Sequence, residues 1–201
     1  MIIRCQQVSK RYNQHWIIKK LDYDFTSDII YGIKGANGSG KSTLLKMLSG
    51  FLSPTLGTIT YVNDQSDISR DDIFRYVSIW GPHTSMPHTL TILEFITYYS
   101  QMKGWTTPIK EKAVFDMTQL PVPAERRIDQ LSSGQAQRLG LTLTLLSSSS
   151  IVLLDEPGSY LDVSSKSWMQ EMIRTYSPGK LLIIASNDDE DLLATKEMIT
   201  L

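Results

Sequence analysis

Gly35-Ala36-Asn37-Gly38-Ser39-Gly40-Lys41-Ser42-Thr43 decides what this chain can be. It follows Ile29-Ile30-Tyr31-Gly32-Ile33, a short apolar run that reads as a buried strand. It precedes Leu44-Leu45-Lys46-Met47-Leu48, which reads as a helix closed by Gly50. Strand, glycine-rich turn and helix in that order match the pattern G-x-x-x-x-G-K-[ST]. Glycines let the backbone curl so that successive N–H groups point inward at phosphate oxygens, and the following helix adds its free N–H groups and positive dipole end. Lys41 is suited to lie between β- and γ-phosphates, and the Ser42 hydroxyl to ligate Mg²⁺. A bare glycine-rich turn with incidental Lys and Ser is the competing reading. It is disfavoured because pattern and context agree.

Further along, Ile151-Val152-Leu153-Leu154-Asp155-Glu156-Pro157 places two acids at the end of an apolar strand. In parallel sheets, ligand sites lie at the carboxyl ends of strands, the edge from which a phosphate loop also starts. Asp155 is therefore expected to hold Mg²⁺, directly or through water. Glu156 is expected to orient or deprotonate a water in line with the γ-phosphate. A solvated strand end would explain two isolated acids equally well, but not two acids downstream of a phosphate loop.

The remaining runs place these motifs in one domain. Thr58–Val62 and Tyr76–Trp80 read as strands bounded by turn residues, and Thr91 to about Leu120 reads as helical up to Pro121 and Pro123. Leu181-Leu182-Ile183-Ile184 is a second fully apolar run. With a helix from Val163 to about Tyr176 between them, it and Ile151–Leu154 read as neighbouring parallel strands. Ser147 to Ser150 reads as a helix-to-strand connection. By period alone, Leu139-Gly140-Leu141-Thr142-Leu143-Thr144-Leu145 reads as a strand.

Composition narrows the function classes. The 201 residues suit one domain with a sizeable core, at 41% hydrophobic and 20% charged. A net charge of −1 advertises neither a nucleic acid nor an acidic membrane partner. The single Cys5 cannot form an internal disulfide and fits a reducing compartment. No signal-peptide pattern is visible, and no apolar run approaches the ~20 residues needed to span a bilayer. A cytoplasmic chain is expected, with any membrane role coming through a partner.

Leu131-Ser132-Ser133-Gly134-Gln135, followed by Gln137-Arg138, completes an ordered set of motifs. With the phosphate loop and Asp155-Glu156, it resembles the signature of ATP-binding-cassette (ABC) ATPases, usually written LSGGQ. Ser53-Pro54 to Ile59 matches the family's segment after the first helix. Ser159-Tyr160-Leu161-Asp162 resembles the loop that communicates across the dimer. The resemblance covers nearly the whole chain and implies an α/β fold, a P-loop NTPase core of mostly parallel sheet flanked by helices. It also implies a small N-terminal antiparallel β part and a helical subdomain at about 84–140, inserted in a single ATP-binding domain of residues 1–201. The helix that follows the signature in the family overrules the strand reading of Leu139–Leu145. Short length and Leu90-Thr91-Ile92-Leu93-Glu94-Phe95 look most like the small haem-exporter or cytochrome-c-maturation cassettes.

The resemblance also assigns roles. Tyr12 matches the aromatic that stacks on adenine; Gly35 to Thr43 bind the phosphates; Ser42 and Asp155 hold the metal; Glu156 is the catalytic base. Ser132, Gly134 and Gln135 of one copy would cap the γ-phosphate held by another, so the implied partners are a second cassette and a transmembrane permease subunit. Two departures stand out. The strand ending at Trp80 runs into Gly81-Pro82-His83, without the family's glutamine; His83 could substitute for it but, like His15 and His88, reads rather as a surface residue. Asn187 stands where the family has a histidine that contacts the γ-phosphate. An amide keeps a donor and an acceptor but carries no charge and relays no proton. The leading expectation is an ATP-hydrolysing transporter subunit. A soluble regulatory cassette and a nucleotide-dependent dimer switch with weak hydrolysis are the alternatives.

Overall fold

The computed structural model describes residues 1–64 and 66–201. In chain order they form β1 (Ile2–Tyr12), β2 (His15–Thr26), β3 (Ile30–Lys34), α1 (Lys41–Leu48), β4 (Leu56–Asn63), β5 (Ser66–Ile68) and β6 (Val77–Trp80). Then follow α2 (Ile92–Lys103), α3 (Glu111–Thr118), α4 (Ser133–Leu146), β7 (Ile151–Asp155), α5 (Val163–Tyr176), β8 (Leu181–Ser186) and β9 (Glu197–Thr200). Two sheets result: an antiparallel one of order β2-β1-β4-β5, and a parallel one of order β6-β7-β8-β3-β9.

The parallel sheet is central because β7 and β8 are buried at every residue. Strand alternation sends their side chains to two cores. Val152, Leu154, Leu182 and Ile184 pack with α4 and α5 through Leu141, Leu145, Met169 and Ile173. Ile151, Leu153, Leu181, Ile183 and Ala185 pack instead with α1 and the antiparallel sheet, through Leu44, Leu48, Phe25 and Tyr61. Each of the valine, leucine, isoleucine, methionine and phenylalanine side chains among them contributes about 1.5–3 kcal/mol of burial free energy. Both faces are covered, which is why these strands are continuous apolar runs without polar alternation.

The alternating stretch Leu139–Leu145 is helix, within α4. Its period-two pattern misleads because every residue from Leu139 to Leu146 is buried, so no polar face imposes a helical period. The expected helical stretch from Thr91 to Leu120 is two helices. Gly104, at φ +64, ends α2, and Trp105 leaves to form an isolated bridge with Ser147. β2 alternates apolar and acidic residues from Leu21 to Phe25, with Phe25 buried, whereas the edge strand β9 carries no such alternation and is largely exposed.

α2 starts at a capping box between Thr91 and Glu94, and α4 at one between Ser132 and Gln135. The Trp80 indole N–H donates to Gln137 Oε1 at 2.9 Å, and Gln137 Nε2 donates to the Pro157 carbonyl at 2.7 Å. This buried chain ties β6, the start of α4 and the segment after β7 together, behind the carboxyl edge of the sheet.

Candidate functional site

At the carboxyl edge, β3 turns through Gly38 and Gly40, at φ +83 and +109, into α1. These left-handed conformations are open to glycine without penalty, and they bend the loop around the start of the helix. The result faces a cleft of about 390 Å³ lined by Asn37, Gly38, Gly40, Lys41, Ser42 and Thr43, with Tyr12 on one side and Asp155 and Glu156 behind. Sequence-distant residues expected to act on one nucleotide are thus brought together. Gly35, Ala36 and Ser39 belong to the same loop but do not line the cleft.

Lys41 is buried, and its ammonium donates to the Gly35 carbonyl at 2.8 Å and lies 3.1 Å from Glu156 Oε1. Glu156 adopts φ +47, a conformation rare for a side-chain-bearing residue, while its N–H donates to the Ala185 carbonyl at 2.7 Å. That backbone turn aims the carboxylate into the cleft, where its second oxygen, Oε2, accepts from the Ser186 hydroxyl at 2.9 Å.

Asp155 ends β7 in a tight niche: a Cβ on Gly81 would fall 2.6 Å from the Asp155 Cβ. Its Oδ1 is buried and has no hydrogen-bond partner among the described residues. Burial holds the carboxyl above its ordinary value, against the pull of the Ser42 hydroxyl and the Lys41 charge. An unpaired buried carboxylate oxygen beside a hydroxyl is a donor set of hard oxygens, and it fits a magnesium ion. No cluster of three His, Cys, Asp or Glu side chains able to hold a metal by themselves occurs among the described residues.

His83 lines this cleft beside Asp155 rather than lying on an unrelated surface. Its signal in the sequence was its place just beyond the end of β6, two residues after Gly81. Asn187, after β8, is exposed and donates from Nδ2 toward Asn37 Oδ1 at 3.5 Å. Ser186 and Asp191, both buried, were missed; a serine closing an apolar strand carries no pattern of its own.

Ser132, Gly134 and Gln135 do not line the cleft. Ser132 and Gln135 cap α4 on each other: Gln135 N–H to Ser132 Oγ is 3.3 Å, and Ser132 N–H to Gln135 Oε1 is 3.0 Å. A Cβ on Gly134 would sit 2.8 Å from the Tyr160 carbonyl, so only glycine lets α4 start against that loop. Asp162 caps α5 by accepting from the Ser165 N–H at 2.8 Å.

Residues 18–159 match the family described as ABC transporter. The span contains the phosphate loop, the signature and both carboxylates, and excludes Tyr12 and Asn187. The chain is 30% identical over 204 residues to the spermidine/putrescine import ATP-binding protein PotA of Legionella pneumophila (strain Lens), covering 98% of this chain and 56% of that protein. It is 28% identical over 184 residues to the retinal-specific phospholipid-transporting ATPase ABCA4 of Mus musculus, covering 89% of this chain and 8% of that protein. The chain therefore spans a small part of one relative and about half of the other. Among solved structures, a putative ABC transporter ATP-binding protein from Pyrococcus furiosus superposes with TM-score 0.84 at 20% identity, covering 100% and 98% of the two chains. The dimeric bacterial cassette MJ0796 superposes with TM-score 0.84 at 22% identity, covering 99% and 94%. At these identities the superpositions establish the fold.

Proposed function

The chain belongs to the ABC transporter family, and from that premise we propose that it is an ATP-binding subunit that hydrolyses ATP to drive a separate transmembrane subunit. The observation that carries this reading is the convergence of Lys41, Ser42, Asp155 and Glu156 on one cleft that Tyr12 also lines. The loop N–H groups and Lys41 hold the β- and γ-phosphates; Tyr12 offers its ring to the adenine. Ser42 and Asp155 would hold Mg²⁺, which neutralises phosphate charge when bound. Glu156 accepts the proton of the attacking water, giving ADP and phosphate from ATP and water.

In the same proposal the chain is one ATP-binding domain, with residues at about 84–140 forming a helical subdomain. α2, α3 and the start of α4 lie in that interval and support the division. The exposed start of α4 presents the Ser132 hydroxyl and the first helical N–H groups, which supports a role capping the nucleotide of a second cassette. Among the described residues no helix is long and apolar enough to cross a membrane, and in this reading a transmembrane partner supplies the spanning part. The subunit would then sit on the cytoplasmic face of the membrane. Asn187 favours a second reading: a dimer switch that binds ATP and turns over slowly, since the amide at this position cannot carry charge.

Affinity purification of the full chain from detergent-solubilised membranes tests the transporter reading. A stoichiometric multi-span protein is expected, and native complexes with no integral-membrane subunit would contradict it.

A further inference from the structure

Ser186 Oγ has three polar neighbours. The Asp188 N–H donates to it at 3.1 Å, Asp191 Oδ2 lies at 2.7 Å and Glu156 Oε2 at 2.9 Å. A hydroxyl has one hydrogen and two lone pairs, and the Asp188 N–H occupies one lone pair. If both carboxyl groups were ionised, the single hydrogen would serve one of them. The other would face a lone pair at hydrogen-bond distance inside the protein, where Ser186 is 0% and Asp191 2% exposed.

One additional proton removes the conflict, and the surroundings say where it resides. Glu156 is already ion-paired at its other oxygen, with the Lys41 ammonium 3.1 Å from Oε1. Asp191 has no such partner. Its Oδ1 lies against Gly158, where a Cβ would come within 1.9 Å; the Gly158 N–H faces the carboxyl and opposes the effect of burial, but its geometry falls short of a hydrogen bond. The nearby cation, Lys166, is engaged at 2.6 Å by Asp188 and at 2.8 Å by Glu190, and both acids add negative charge on this side. From α5, Gln170 reaches only the Glu190 and Asp191 carbonyls.

We propose that Asp191 is a neutral carboxylic acid whose proton is held against Ser186 Oγ, committing the Ser186 hydrogen to Glu156 Oε2. Ser186 then donates once and accepts twice. Glu156 is held at both oxygens, by Ser186 and Lys41. Burial, which raises the Asp191 carboxyl above its ordinary value, acts in the same direction. Asp191 is thus a positioning residue for the base, in a chain whose Asn187 cannot supply charge there. The inference rests on the ATPase reading of Glu156.

Two measurements test it. Phosphate release is followed for Asp191→Ala, Asp191→Asn and Ser186→Ala. Loss of one such hydrogen bond costs about a factor of ten. Asp191→Ala and Ser186→Ala should therefore lower kcat about tenfold with KM for ATP little changed, and Asp191→Asn, whose amide can still donate to Ser186, should recover most of that loss. Asp191→Asn as impaired as Asp191→Ala, or no loss in any variant, would overturn the proposal. The second measurement needs no turnover: carbon NMR of aspartate-labelled protein, wild type minus Asp191→Asn, near pH 7. A protonated carboxyl resonance is expected, and a carboxylate resonance would overturn the proposal. Absent hydrolysis by wild type would sink the ATPase reading and leave the spectrum to decide the protonation.

Discussion

Asn187 Nδ2 lies 3.5 Å from Asn37 Oδ1, so the residue that follows the last long core strand reaches the phosphate loop across the cleft edge. The contact follows from sheet order. β8 lies beside β3, and their carboxyl ends bring the segments after Ser186 and Lys34 together. A side chain in that position meets whatever the loop holds.

Asn187→His should therefore raise turnover. An imidazole adds a group that can carry charge and move a proton, and such groups contribute about 10²–10⁴-fold where they act fully. At least roughly a tenfold rise in kcat at saturating ATP is expected, read by steady-state phosphate release. An unchanged or lower rate would show that Asn187 is not limiting.

Gly140→Ala should destabilise the protein, although helix propensity alone favours alanine by about 1 kcal/mol. The new Cβ would lie 2.1–2.3 Å from three atoms of the Trp80 ring, which is held in place by its bond to Gln137. Overpacking of this kind costs about 1–3 kcal/mol, and the melting temperature should fall by about 2–4 °C for each net kcal/mol. Thermal unfolding that shows a gain would contradict the packing described for Trp80.

Lys180 gives a prediction with a definite sign. Its buried ammonium caps the end of α4, donating to the Leu145 carbonyl at 2.5 Å and the Ser147 carbonyl at 2.7 Å. Burial pushes the amine down from 10.5 to about 8. Between those values the unfolded chain binds a proton that the folded chain has lost, so stability rises with pH in that window. Below about 8 the cost of burying the charge is fully present; above 10.5 it is gone. The stability of wild type relative to Lys180→Met, from urea unfolding at a series of pH values, should increase from pH 8 to 10.5. A difference independent of pH would contradict the burial of a titrating amine.

The parts of this molecule that were legible in its sequence are those whose chemistry demands particular residue types. Gly38 and Gly40 are dictated by a loop that turns through positive φ into α1, and β7 and β8 by burial on both faces. Leu139–Leu145 was misread by period because a helix buried on all sides has no polar stripe, and only its place after the signature corrected the strand reading. The break after α2 was signalled by Gly104 and Pro108 and was passed over because helix resumes beyond it, at Glu111. Ser186 and Asp191 were invisible because their significance is a relationship in space: one hydroxyl between two acids that lie 35 positions apart in the chain. His83 was placed correctly at an exposed position, but its proximity to Asp155 depends on how Gly81 lets the strand end fold over that acid.

The central claim is that Glu156, held between Lys41 and Ser186, is the base of an ATPase. It is tested most directly by steady-state phosphate release from the purified protein with Mg²⁺ and ATP, wild type against Glu156→Gln. The amide preserves the shape of the side chain and removes its ability to take a proton. Measurable turnover in wild type, lost in Glu156→Gln while nucleotide binding persists, is the predicted result. Turnover that survives the substitution would contradict it.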